Sequence, residues 1–339
     1  MRSARLLCLT LTFSAVGALA ACGGGGGEKA PNDAVSQNEP REPRRNPDAE
    51  AFVIEADLAR DQGDYEKAIE LLTQAIEKNP TLTVAHLSLG DVYTEMGDYQ
   101  SAESAFGTAA RQEPRNFDAQ YKHGLSLQLL DRFSEAIRAY LRALSINPDS
   151  FDANLNIATA YMALNEPVQA LVYAQQATRI DPFSGAAHAN LGSVFSALDQ
   201  HPEAVREYEA AAELMDLSPQ LLMNMAVSQG KINRYVEMRN TLLALLDLEP
   251  SADAYERLGF AEFRLREYPA AELAFRHAIE LDANYYPALN GLAVCLLQNW
   301  LWSDQEDDAA HAEGVDLLRR SLRINRNQPR IVDLLSRYS

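Results

Sequence analysis

From residue 49 onward the chain repeats itself every 34 residues, and no other feature narrows its possible folds as much. The stretches AHLSLGDVYTEMGDYQSAESAFGTAARQEP (85–114) and AQYKHGLSLQLLDRFSEAIRAYLRALSINP (119–148) align without a gap. A glycine or alanine recurs at Ala56, Gly90, Gly124, Ala158, Gly192, Ala226, Gly259 and Ala293. Alanine follows twelve positions later at Ala68, Ala102, Ala136, Ala170, Ala204 and Ala271, and seven beyond that at Ala75, Ala109, Ala143, Ala177, Ala211 and Ala278. Aromatics fall in phase at Tyr65, Tyr99, Phe133, Tyr235 and Tyr268, and again at Phe106, Tyr140, Tyr208 and Phe275. Proline closes the unit at Pro80, Pro114, Pro148, Pro182 and Pro250.

Each unit reads as two helices of about four turns, joined by a tight turn at Gly63, Gly97, Asp131, Asn165, Asp199 or Asn233. Small residues let paired helices approach to about 8–10 Å between axes. The closing proline stops one helix before the next begins. This spacing resembles the tetratricopeptide repeat, residue type by residue type, over about 290 of the 339 residues. The resemblance implies an all-α fold: a right-handed superhelical α-solenoid of about eight repeats with an open concave side. The repeats span 49–82, 83–116, 117–150, 151–184, 185–218, 219–251, 252–285 and 286–326, and 327–339 reads as a capping helix.

Two units depart from the pattern. The sixth has Met238 and Leu245 where others have alanine, and Gln229 where an aromatic is usual. Bulk there forces the helix pair apart or makes it repack, so this unit is the expected place for a hinge. The eighth is longer by nine residues, with an insertion at 300–312 that contains both tryptophans, Trp300 and Trp302. Those rings either pack the cap against the last repeat or stand exposed as partner anchors.

The amino-terminal segment is of another kind. Met1–Arg5 is basic, Leu6–Ala20 is apolar, and Leu19-Ala20-Ala21-Cys22 precedes five glycines. A charged start, an apolar stretch and small residues form a secretory signal. The last four positions resemble a bacterial lipobox, which implies removal of 1–21 and acylation of Cys22; the alternative is an ordinary signal with Cys22 incidental. Several acyl chains anchor a protein stably where one does not. Residues 22–48 then read as a lipidated cysteine and a Gly- and Pro-rich tether, reaching on average roughly 25–30 Å as a flexible coil. Gly23, rather than aspartate, after the cysteine implies by the same resemblance the outer membrane, with the folded part facing the periplasm.

The formal net charge of −18 falls to −20 once Arg2 and Arg5 leave with the signal, which disfavours nucleic acid and anionic headgroups as partners. Cys295 would then be the single thiol left, in the apolar run LAVCLLQ, and reads as a buried packing residue. The six histidines are scattered, and no metal-ligand spacing, nucleophile elbow, phosphate loop or dinucleotide fingerprint occurs. We therefore expect no enzyme, no cofactor, no metal and no small-molecule substrate.

What remains is the groove. In the resembled family, fixed positions of each first helix face inward. Carried onto this chain, they place Glu50, Asp57, Arg60, Asp61, Asp91, Glu95 and Asp118 at the amino-terminal end. Tyr121, Leu125, Leu155, Asn156, Asn190, Met223 and Asn224 fall in the middle, and Arg257, Phe260, Phe263 and Arg264 at the far end. Asn156, Asn190 and Asn224 recur at 34-residue spacing, a ladder able to hydrogen-bond an extended backbone, or simply the family's common residue there. The expectation is a non-catalytic, lipid-anchored adaptor of the bacterial envelope that docks extended peptide segments of other envelope proteins. The alternatives are a self-assembling structural protein (a homo-oligomer) or a non-catalytic subunit of a secretion, pilus or cell-wall enzyme complex.

Overall fold

The computed structural model describes residues 47–338; the expected signal, Cys22 and the tether up to residue 46 lie outside the described residues. Helix α1 begins at Pro47, so the last two residues assigned to the tether are helical instead. Proline is well placed there, because a first-turn N–H has no intrahelical acceptor.

The described residues form seventeen helices and no strand. They pair as α1 (Pro47–Asp61) with α2 (Tyr65–Lys78), α3 (Thr83–Glu95) with α4 (Tyr99–Gln112), α5 (Phe117–Leu129) with α6 (Phe133–Ile146), and α7 (Phe151–Ala163) with α8 (Pro167–Ile180). The series continues with α9 (Gly185–Ala197) and α10 (His201–Leu214), α11 (Pro219–Lys231) and α12 (Tyr235–Leu248), α13 (Ala252–Leu265) and α14 (Tyr268–Leu281), and α15 (Tyr286–Trp302) and α16 (Asp308–Ile324). Helix α17 (Pro329–Tyr338) closes the stack.

Local chemistry explains the boundaries. Side chains of Asp98, Asn116, Ser150, Ser184, Ser218 and Ser251 each accept the N–H three residues on, capping α4, α5, α7, α9, α11 and α13. Within each pair the turn needs a left-handed residue. Gly63 and Gly97 supply it at φ 77° and 78°, and Asp131, Asn165, Asp199 and Asn233 do so at φ 56–60°. The seventh turn gives that conformation to Arg266 (φ 67°), a residue without such a preference.

Packing across each pair is a matter of size matching. A Cβ added at Gly124 would stand 2.6 Å from the Tyr140 ring, at Gly192 2.7 Å from Tyr208, and at Gly259 2.8 Å from Phe275. Gly90 has the same relation to Phe106. In the first, fourth and sixth units the equivalent positions carry Ala56 with Leu72, Ala158 with Ala174, and Ala226 with Leu242, all buried.

Of the two outcomes expected for the sixth unit, the structure shows repacking rather than splaying. Met238, Leu242, Leu245 and Leu246 lie buried in one apolar cluster with Leu221, Leu222, Met225 and Leu258. Gln229, only 3 % exposed, accepts a hydrogen bond from the Thr241 hydroxyl at 2.9 Å, so its polarity is satisfied inside the pair. The eighth unit likewise absorbs its additional residues. Both α15 and α16 have 17 residues, a turn longer than their counterparts, and only Ser303–Asp307 is left as a connection.

Candidate protein-docking groove

Odd-numbered helices touch across the repeat boundaries, α1 with α3, α5 with α7, α7 with α9, α9 with α11 and α13 with α15, whereas even-numbered helices do not pack on one another in this way. The odd helices therefore form the inner layer, and their solvent-facing residues make up one surface along the stack.

At the amino-terminal end acids dominate that surface, but with cations among them. The Arg60 guanidinium stands 3.6 Å from Asp57, 3.3 Å from Asp61 and 3.7 Å from Glu95. Lys122 donates to Asp91 at 2.7 Å. Glu50 and Asp118 are exposed.

In the middle, Leu125, Leu155 and Met223 are half-buried. Tyr121 stacks on Phe117 at 5.8 Å, and its hydroxyl accepts from Asn156 Nδ2 at 3.1 Å. Burial is the main influence pushing the Tyr121 phenol above its ordinary range, with Asp152 adding to it. Asn190 Nδ2 donates to Thr159 Oγ1 at 2.9 Å, while its Oδ1 is buried without a partner. Asn224 Oδ1 accepts from Gln220 at 2.9 Å. The three asparagines thus keep their register but are tied in three different ways. Asn190 and Asn224 share a cleft of about 330 Å³ with Ser193, Tyr208 and Met215.

At the carboxy-terminal end, Arg257 is held along its own helix by Asp253 at 3.1 Å. Arg264 lies 4.4 Å over the Tyr235 ring and 5.7 Å from that of Phe260, which is 39 % exposed and packs edge-on against Tyr235 at 6.1 Å. Phe263 meets Tyr268 at 5.4 Å, and Tyr268 meets Trp302 at 4.5 Å, both edge-to-face. The two tryptophans take opposite roles. Trp300 turns inward, 4.4 Å from His311 and 6.0 Å from Tyr338 of the cap, whereas Trp302 remains 57 % exposed at the edge of the aromatic strip.

Three polar residues join this end that the groove positions do not include: Glu256, Asn290 and Arg330. With Phe260, Phe263, Arg264, Phe275, Pro287, Gly291 and Val294 they line a cleft of about 500 Å³. Burial pushes the Glu256 carboxyl above its usual range, assisted by Asp253 and opposed by Arg257. Asn290 donates to Gln328 at 2.7 Å and leaves its Oδ1 buried and unpartnered. Glu256 and Asn290 are 34 residues apart, one position before the asparagine phase, so the repeat arithmetic would have found them. Arg330 sits on α17, beyond the repeat, where no such signal exists.

Among the described residues, no group of three or more His, Cys, Asp or Glu is placed to hold a metal ion. Cys295 is fully buried and its thiol is pushed up to about 12, by burial first, which makes it a packing residue. Among the described residues no helix is long and apolar enough to cross a membrane.

The tetratricopeptide repeat model matches residues 59–126 and 129–194. No curated protein matches the sequence. Among solved structures the chain is similar to a tetratricopeptide repeat protein from Parabacteroides merdae, at 18% identity over 74% of this chain and 100% of that one, with a TM-score of 0.53. It is similar to pilF of Pseudomonas aeruginosa, at 18% identity over 60% of this chain and 93% of that one, with a TM-score of 0.52. It is also similar to YrrB, described as a TPR protein with an unusual peptide-binding site, at 16% identity over 58% and 98% of the two chains, with a TM-score of 0.50. At these identities the likeness is one of fold: a tetratricopeptide-type α-solenoid.

Proposed function

We propose that this chain is a non-catalytic adaptor of the bacterial envelope, held at the outer membrane by an acylated Cys22, that docks extended segments of other envelope proteins on its inner layer. One observation carries the docking reading. A row of half-buried or exposed apolar and amide side chains, Leu125, Leu155, Asn156, Asn190, Met223, Asn224 and Phe260, runs along helices with no further layer over them among the described residues. Such a row costs solubility if it serves nothing. YrrB, of similar fold, is described as having a peptide-binding site. The anchor rests on the Leu19–Cys22 motif alone.

Cross-linking and capture from membranes tests both parts. The native protein is expected to recover a discrete set of proteins that the Asn156/Asn190/Asn224→Ala variant loses. Identical recovery by both sinks the groove reading. Cys22→Ser is expected to abolish labelling by radioactive palmitate and release the protein from membranes; unchanged labelling removes the anchor.

Self-assembly is the second reading, favoured by the exposure of Trp302 and of Ile54 and Leu58 on α1. Light scattering on the compact unit Asn46–Ser339 decides it, since a monomer at micromolar concentration excludes it.

A further inference from the structure

The cleft between α13, α15 and α17 differs from the rest of the inner surface in how its charges are arranged. Arg60, Lys122 and Arg257 each have a carboxylate partner. Arg264 and Arg330 form no ion pair or hydrogen bond among the described residues, although both line the same cleft and both are exposed. Arg264 is not loose, because stacking on Tyr235 and Phe260 fixes its plane. Stacking leaves the N–H edge of a guanidinium free to donate. In a chain with a net charge of −18, two unpaired guanidiniums on the rim of one cleft select for a negative group.

The other two features say what carries that group. Phe260, Phe263 and Val294 wall an apolar space, and the volume of about 500 Å³ lies in the range of ligand clefts, roughly 300–1,000 Å³. Asn290 Oδ1 is a buried acceptor with no donor. A peptide backbone offers an N–H at each residue beside its side chains. Glu256 is the one acid lining the cleft, and its burial disfavours the charged form that would compete for the arginines.

We propose that this cleft binds acidic peptide segments, seating a bulky apolar side chain against Phe260, Phe263 and Val294 and a neighbouring Asp or Glu carboxylate between Arg264 and Arg330. The inference rests on the groove reading above and gives this end of the groove its ligand chemistry.

The test is fluorescence anisotropy with the full-length protein and a labelled, C-terminally amidated peptide, Gly-Ser-Leu-Phe-Asp-Glu-Ser-Gly. Two control peptides replace Asp-Glu by Asn-Gln, or Leu-Phe by Ser-Ser. The parent peptide is expected to saturate at tens of micromolar or below, and each control to bind at least about tenfold more weakly, the scale of one lost charge-assisted contact. Arg264→Gln with Arg330→Gln is expected to abolish binding with at most a small change in the thermal melt, since both side chains are exposed and only the stacking of Arg264 is lost. Asn290→Asp, which replaces the amide by a negative charge inside the cleft, is likewise expected to weaken binding at least about tenfold, and undiminished binding counts against the proposal. A parent peptide that fails to saturate, an Asn-Gln control that binds equally, or undiminished binding by the double arginine variant overturns the proposal. Membrane capture separates this failure from that of the groove: a partner lost with the asparagine triple variant but kept by the double arginine variant overturns the cleft and leaves the groove standing.

Discussion

In the third and fifth units a glycine faces a tyrosine ring across the helix pair, Gly124 with Tyr140 and Gly192 with Tyr208. In the sixth unit the same two positions hold Ala226 and Leu242, and Met238 and Leu245 stand where the other units have alanine. Both arrangements are fully buried. The conserved quantity is therefore the combined volume of the facing pair, not the residue at either place. Volume-matched exchange is tolerated in cores where single changes are not. The fourth unit is the exception: Ala158 and Ala174 are small on both sides, and Tyr161 and Tyr173, stacked at 5.8 Å, pack beside them.

The largest expected effect breaks the aromatic side of this contrast. Phe106→Ala empties the space opposite Gly90 and is expected to cost about 3–5 kcal/mol, against about 2–5 for Leu242→Ala, read as shifts in urea denaturation. Equal losses would mean that the two pairs relax alike. Next, Gly192→Ala drives a methyl into the Tyr208 ring and is expected to cost about 1–3 kcal/mol. Ala226→Gly, which opens space opposite Leu242 instead, is expected to cost about 0.5–1 kcal/mol from helix propensity before any cavity cost is added. A third change concerns the polar substitute for an aromatic: Gln229→Leu strands the Thr241 hydroxyl and is expected to cost about 1–3 kcal/mol. Adding Thr241→Val removes that orphan, and the double variant should recover most of the loss; a double variant as unstable as the single one would refute the hydrogen-bond account. The smallest effect is a gain. Arg266→Gly relieves a left-handed arginine and is expected to raise stability by about 1 kcal/mol, whereas Gly63→Ala should lower it by a similar amount.

The fold was legible because the repeat states each contact many times over. Gly63, Gly97 and the four Asp or Asn turn residues announced their positive φ by type. Arg266 did not, because its backbone is dictated by neighbouring units rather than by its own preference. The way the sixth unit repacks is hidden from the sequence for a related reason. Met238 and Leu245 looked oversized position by position, and the compensating loss of an aromatic at Leu242 becomes visible only when facing positions are summed. Of the groove, the inward positions implied by the family resemblance fall on half-buried Tyr121 and Asn156 and on exposed Phe260 and Arg264. Those positions could not show that Asn156 and Asn190 spend their amide donors on Tyr121 and Thr159, since partner choice depends on geometry between units. Arg330 was out of reach altogether, coming from a helix that no repeat register predicts.

The two ends of the stack differ as well. At the carboxy-terminal end α17 lays Ile331, Leu334, Leu335 and Tyr338 on the last pair and turns Arg330, Asp333 and Arg337 to water. At the amino-terminal end no other described helix lies over the outer stripe of α1, where Ala51, Ile54 and Leu58 are exposed. Among the described residues the two ends of the stack thus differ in polarity, which limits how copies of it can join. Head to head, two α1 stripes match by a twofold axis and growth stops at two; head to tail, α17 meets the stripe with Arg330, Asp333 and Arg337 around Val332 alone, a poor match from which to propagate an open filament.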